Sequence, residues 1–73
     1  MKAVYRYTNA LGRREELRVD NTVYMNDSVV KRHFSLWDLA TGKMCGLGSM
    51  TTKEVKEMLS HMKNVEKVVD KNE

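Results

Sequence analysis

The chain has 73 residues, of which 41% are hydrophobic and 32% charged, and its net charge is +3. This length predicts one small domain with little stability in reserve, because so short a chain buries only about 60% of the surface that it exposes when unfolded. The composition argues against wholesale disorder. No apolar run reaches the roughly 18 residues of a membrane-spanning helix, and the charged N-terminus MKAVYRYTN is unlike a signal peptide.

Charge is placed unevenly along the chain. Residues 1–50 carry eight Lys or Arg against five Asp or Glu, whereas residues 51–73 carry five of each. All five arginines therefore lie in the first part, and arginine binds carboxylate and phosphate groups through paired hydrogen bonds. A solvated surface is the simpler interpretation, but an acidic protein or a nucleic acid would bind this part of the chain.

Cys45 is the single cysteine, so no intrachain disulfide can form. Small secreted domains usually need several disulfides, and the composition therefore predicts a reducing, cytoplasmic setting. Because Met44 and Leu47 stand beside it, we expect Cys45 to be a small buried apolar group and not a nucleophile. Paired Cys or His spacings are absent from the sequence, which favours no metal, no cofactor and no enzymatic activity.

In chain order, alternating apolar and polar residues predict five short strands, at residues 2–8, 15–19, 22–25, 29–38 and 43–47. Turn-forming residues separate them. The first turn follows Asn9, the next two are expected at Asp20-Asn21 and at residues 26–28, and the last needs a left-handed Gly42.

The fourth predicted strand contains KRHFSLW, residues 31–37, which combines cations with aromatic rings. Side chains alternate between the two faces of a strand. The alternation predicts a core-facing set, Val30, Arg32, Phe34 and Leu36, and a solvent-facing set, Lys31, His33, Ser35 and Trp37.

A helix is predicted over about residues 52–63. Thr51 and Glu54 have the spacing of a capping box, and an apolar stripe follows at helical spacing in Val55, Met58, Leu59 and Met62. Two interpretations compete for residues 65–73. In the favoured one, a left-handed Asn64 ends the helix and a short strand follows, whereas in the other the valines continue a longer helix.

These elements predict an α+β fold, a small antiparallel sheet of four to five strands with one C-terminal amphipathic helix packed on one face. The layout resembles that of the transcriptional coactivator family that binds single-stranded DNA, with Leu47-Gly48-Ser49 standing where that family has an Arg-Lys-Gly run. In length, lack of motif and mild basicity, the chain is also similar to small phage-encoded accessory proteins, which include inhibitors of host defence systems.

The preferred functional hypothesis is a non-enzymatic protein-binding module or inhibitor. It would present a basic, tryptophan-bearing sheet surface to an acidic protein, because interfaces concentrate binding energy in Trp and Arg. Its predicted binding residues are Trp37, Arg32, Lys31, His33, Arg13 and Arg14. One alternative is binding of single-stranded nucleic acid through Lys31, His33 and Trp37. Another is a homodimer formed through a sheet edge or the helix stripe, and no membrane partner is expected.

Overall fold

The computed structural model describes residues 3–26 and 29–70. Its elements follow in the order β1 (Ala3–Thr8), β2 (Arg14–Asn26), β3 (Val29–Asp38), β4 (Lys43–Met50), α1 (Thr52–Ser60) and β5 (Lys63–Asp70). The strands form one antiparallel sheet in the order β4-β3-β2-β1-β5. The predicted α+β class is confirmed. In the described residues, no helix has the length and hydropathy to cross a bilayer.

The prediction of a C-terminal helix is wrong, because α1 is followed by β5, which pairs with β1. Asn64 has a φ of 53°, a left-handed conformation that asparagine tolerates better than most residues. The valines after it favour a strand that pairs with the sheet over a further helical turn. Residues 63–70 therefore take the strand alternative, and the helix ends at Ser60, three residues earlier than expected.

β2 is a single strand of 13 residues, where the sequence predicted two strands and a turn at Asp20-Asn21. Its register on β3 shifts between Val19 and Val23, so the polar residues there produce a bulge instead of a reversal. Beyond Val19, which lies opposite Ala3, the first residue of β1, β2 keeps pairing with β3. The turn predicted at residues 26–28 includes residues 27 and 28, which lie outside the described residues.

The hydrophobic core lies between α1 and one face of the sheet. Its buried residues are Tyr7, Leu17, Val19 and Val55, and seven partly buried side chains pack around them: Tyr5, Phe34, Leu36, Met50, Met58, Leu59 and Met62. The predicted inward orientation of Phe34 and Leu36 is thereby confirmed. Both side chains extend toward β4, where a Cβ on Gly46 would lie 3.0 Å from Leu36 Cδ1, and one on Gly48 would lie 3.0 Å from Phe34 Cε2. Glycine is needed at these two positions for that close approach.

α1 begins with the predicted capping box. The Glu54 backbone N–H donates to Thr51 Oγ1 at 3.1 Å, and the Thr51 N–H donates to Glu54 Oε1 at 2.8 Å. This reciprocal pair satisfies two backbone donors that the helix itself leaves unpaired. With its start fixed in this way, the nine-residue helix packs on one face of the sheet. Within residues 3–26 and 29–70, no helix covers the other face.

Candidate binding surface

The sheet face opposite α1, here called the open face, is assembled by the register of the strands. Residues that pair directly across antiparallel strands project to the same side of the sheet. One row, here called the central row, crosses all five strands through Met44, Trp37, Glu16, Arg6 and Glu66. A second row lies beside it through Leu47, Ser35, Arg18 and Val4.

Glu16 is the centre of this surface and is only 4% exposed, although no helix covers it. Arg6 Nε donates to Glu16 Oε1 at 2.9 Å, and Arg18 Nε donates to Glu16 Oε2 at 2.5 Å. The two arginine side chains are themselves 45% and 36% exposed. The carboxylate therefore lies beneath two guanidinium groups, and a partner approaching the open face would meet the cations first.

The pKa of Glu16 reflects two opposing causes. Burial raises the pKa of a carboxyl group, but the hydrogen bonds from Arg18 and Arg6, together with their charges, lower it by more. The net result is a pKa below the ordinary glutamate value. Glu16 is therefore ionised at neutral pH, when it holds both arginines in place.

Trp37 is held in position on the open face by two contacts. Arg18 Cζ lies 4.3 Å from the centroid of the indole ring, a cation–π contact, and the indole N–H donates to Ser35 Oγ at 2.9 Å. Met44 and Leu47, on the neighbouring strand, are 50% and 74% exposed. We call Trp37, Met44 and Leu47 the apolar patch. A preorganised aromatic ring beside exposed aliphatic side chains is typical of a binding surface.

A shallow depression adjoins the apolar patch. Its volume is about 310 Å³, and it is lined by Arg18, Asp20, His33, Phe34, Ser35 and Leu47. Basic, acidic, hydroxyl and aliphatic side chains therefore surround one concave region. A protein side chain or a nucleic-acid base would fit a space of this size, which lies at the small end of ligand pockets.

Of the six predicted binding residues, Trp37 and His33 share the open face, and His33 is exposed opposite Ser49. Arg14 lies nearer β5, where its guanidinium donates to Asn64 O at 3.1 Å and Glu66 Oε1 at 3.0 Å. Arg14 therefore links β2 to β5 through these hydrogen bonds and is also a surface cation. The side chain remains 37% exposed.

The other three predicted residues lie elsewhere. Arg13 is exposed in the turn between β1 and β2, and Arg32 pairs with Met50, whose side chain packs against the core. Lys31 is six residues from Trp37 along β3, about 20 Å for extended backbone. After the hydrogen bond from the Thr51 N–H, the charge of Lys31 is a smaller cause of the lowered pKa of Glu54 in α1. These three residues therefore lie apart from Trp37 and His33.

Sequence analysis missed Arg6 and Arg18 as members of this surface. Alternation along a strand places Arg18 on the same side as Glu16, but it carries no information on which strand lies alongside. Arg6 joins them only because β1 pairs with β2 in the register Arg6 opposite Glu16. The signal available in the sequence is a pair of opposite charges at matching positions of two successive predicted strands.

Cys45 is exposed, which contradicts the expected buried thiol. The register of β4 on β3 shifts between Leu36 and Trp37, so Cys45 falls in a bulge of an edge strand and has no core to enter. Its Sγ lies 4.0 Å from Glu15 Oε2. Across residues 3–26 and 29–70, no three His, Cys, Asp or Glu side chains cluster as metal ligands would.

Comparison of the chain with protein-family models, with curated proteins and with solved structures found no match in any of the three.

Proposed function

We propose that the protein is a non-enzymatic protein-binding module of the inhibitor type, which acts in the cytoplasm and binds its target through the open face. The supporting observation is the position of Trp37, which Arg18 and Ser35 hold on an uncovered sheet face beside exposed Met44 and Leu47. A soluble monomer seldom places a tryptophan and two large aliphatic side chains together on its surface without a binding role.

The chemistry of the target follows from the charges around the apolar patch. Arg6 and Arg18 are partly exposed, whereas the carboxylate that they share is buried below them. An acidic protein surface with an apolar centre complements this arrangement, because its carboxylates would meet guanidinium groups that are already oriented. The proposal includes an accessory or anti-defence role of the kind that phage-encoded inhibitors have, and this part rests on the length and mild basicity of the chain alone.

The test of this proposal is a Trp37→Ala substitution. We expect the variant to bind its target at least about tenfold more weakly, because interface tryptophans are the residues most often costly to truncate. The target would first be captured from a native-host lysate with the unsubstituted protein, and its affinity then measured by isothermal titration calorimetry. Trp37→Phe, which keeps a ring against Arg18, should lose less affinity than Trp37→Ala.

Leu11→Ala is the matched control for this experiment, because Leu11 is 81% exposed in the turn between β1 and β2, away from the open face. The control should bind the captured target as the unsubstituted protein does. Equal affinities for Trp37→Ala and the unsubstituted protein, with the fold of both verified by circular dichroism, would reject the open face as the binding surface.

Single-stranded nucleic acid is the second candidate ligand, and it is favoured by one observation. Trp37, Arg18 and His33 share the open face, and aromatic rings with nearby cations are what single-strand binders use to stack bases and hold phosphates. Against it, the central row contains two carboxylates, Glu16 and Glu66, which interrupt the continuous cationic groove that tracks a phosphate backbone. We therefore rank it below protein binding.

A titration of the purified protein with a mixed-sequence single-stranded DNA separates the two candidates. If the target is a protein, the fluorescence of Trp37, the sole tryptophan of the chain, should not change in a saturable way at low salt. Saturable quenching that weakens steeply as salt rises would favour the nucleic-acid candidate instead, because each neutralised phosphate releases counterions.

A further inference from the structure

The two edges of the sheet differ in how readily each can pair with the same edge of a second copy. β4 and β5 are the outermost strands, and an edge strand presents backbone N–H and C=O groups that another strand can pair with. Two identical strands that pair antiparallel are related by a twofold axis, so the residue on the axis lies opposite its own copy. Whether an edge can pair with itself therefore depends on the charges near its middle.

β5 is protected against such pairing. Its sequence KNVEKVVD has Glu66 and Lys67 at the centre, on opposite faces, since Glu66 pairs with Arg6 and Lys67 with Tyr5. An axis on either residue places two like charges directly opposite each other, which is unfavourable. An axis on Val65 places Lys63 opposite Lys67 of the second copy, again two cations.

β4 has no charged residue near its middle, and its bulge at Cys45 leaves residues 46–50 in regular register with β3. Its sequence KMCGLGSM contains one charged residue, Lys43, at its first position. An axis on Leu47 places Leu47 opposite Leu47 of the second copy and Gly46 opposite Gly48. The pairing would bring the two Leu47 side chains, each 74% exposed, side by side on the open face without bringing like charges together. Gly46 and Gly48 add no side chains to the core-facing side of this edge, where Phe34 and Leu36 extend toward it.

The same register is complementary in charge at its two ends. With the extra residue of the Cys45 bulge counted, it brings Lys43 of one copy opposite Met50 of the second copy, one residue from Thr51, whose N–H holds the carboxylate of Glu54 at 2.8 Å. Glu54 is exposed and its pKa is lowered by that hydrogen bond, so it is an available anion for Lys43. The twofold axis produces this pairing twice.

We propose that two copies of the chain associate through β4, antiparallel and centred on Leu47, to form one continuous sheet of ten strands. The proposal goes beyond the binding function and does not depend on it, because the purified protein alone tests it. Trp37 lies one strand inward from the paired edge and stays on the open face of the dimer.

The first test is sedimentation velocity at about 100 μM, a concentration that populates dimers of micromolar affinity. The unsubstituted protein should sediment as a dimer, and Leu47→Lys as a monomer, since two lysines would face each other at the axis. The matched control is Val65→Lys, which adds the same charge at a 42% exposed position of the other edge and should remain dimeric. A monomeric unsubstituted protein, or a dimer unaffected by Leu47→Lys, would overturn the proposal.

The second test identifies the register by disulfide formation. In a Cys45→Ser background, Leu47→Cys places two thiols directly opposite each other, within the roughly 7 Å between Cα atoms that a disulfide allows. Oxidation should therefore yield a covalent dimer. Ser49→Cys in the same background is the control, because its two thiols would be offset by four residues, about 13 Å. Equal yields of cross-linked dimer from the two variants would reject the register.

Binding and dimerisation can fail separately. A monomer whose target affinity still falls with Trp37→Ala would reject the dimer and leave the proposed function intact. A dimer whose target affinity is unchanged by Trp37→Ala would reject the proposed function and leave the proposed dimer intact.

Discussion

Replacing Leu17 with alanine is expected to lower the free energy of unfolding by about 2–5 kcal/mol, the cost of removing a fully buried leucine side chain and leaving a cavity. Leu17 is 0% exposed and lies on the central strand β2, in the core cluster with Tyr7, Val19 and Val55. Domains of this size have total stabilities of only several kcal/mol. A substantial fraction of the Leu17→Ala protein should therefore be unfolded at 25 °C.

Urea denaturation followed by circular dichroism measures this change. Leu11→Ala removes the same atoms from a side chain that is 81% exposed, so its free energy of unfolding should change by less than about 0.5 kcal/mol. If both leucine variants were destabilised equally, the assignment of the core to the helix-covered face of the sheet would be wrong.

The second large effect is expected for Glu16→Gln, which should lower the free energy of unfolding by about 2–3 kcal/mol near neutral pH. The substitution replaces a buried carboxylate by an amide that cannot form charge-assisted hydrogen bonds with both Arg6 and Arg18. The estimate lies below the 3–5 kcal/mol typical of a broken buried ion pair, because both arginines are partly exposed to water. Glu57→Gln, on an exposed part of α1, is the control and should cost little.

This effect should depend on pH in a defined direction. The pKa of Glu16 is lower in the folded protein than its ordinary value of 4.5, so its contribution to stability is complete above about pH 4.5 and is lost as the pH falls through the folded-state pKa. The difference in free energy of unfolding between the unsubstituted protein and Glu16→Gln should therefore narrow below pH 4.5. A difference that stays constant between pH 7 and pH 3 would contradict an ionised Glu16 held by two arginines.

Local patterns were sufficient for much of the fold. The capping box at Thr51 and Glu54, the left-handed Gly42 and the inward orientation of Phe34 and Leu36 involve residues close together in the chain, and all are present. At Asp20-Asn21 the sequence predicts a turn, whereas the structure has a bulge within β2. The composition of these two residues is compatible with both. Only the continued pairing of β2 with β3 distinguishes the two.

Less of the open face than of the fold could be predicted from the sequence. Trp37 and His33 were identified from alternation within one strand, and both lie on the open face. The same alternation added Lys31 to this set, but about 20 Å of strand separates Lys31 from Trp37. Arg32 was predicted because arginine is frequent at interfaces, and it pairs with a core-packed methionine. Arg6 and Arg18 were absent from the prediction, because their grouping needs three strands in register.

The amino-acid sequence alone was enough to establish the α+β class, the start of the helix and the inward and outward sides of β3. These properties arise from interactions between residues a few positions apart, and such interactions leave a local pattern. The tertiary structure was needed to show that β5 completes the sheet after the helix, that Glu16 is buried under two arginines, and that β4 and β5 are the edges. Each of these depends on which distant strands become neighbours, and that choice is made by the summed burial and backbone pairing of the whole sheet.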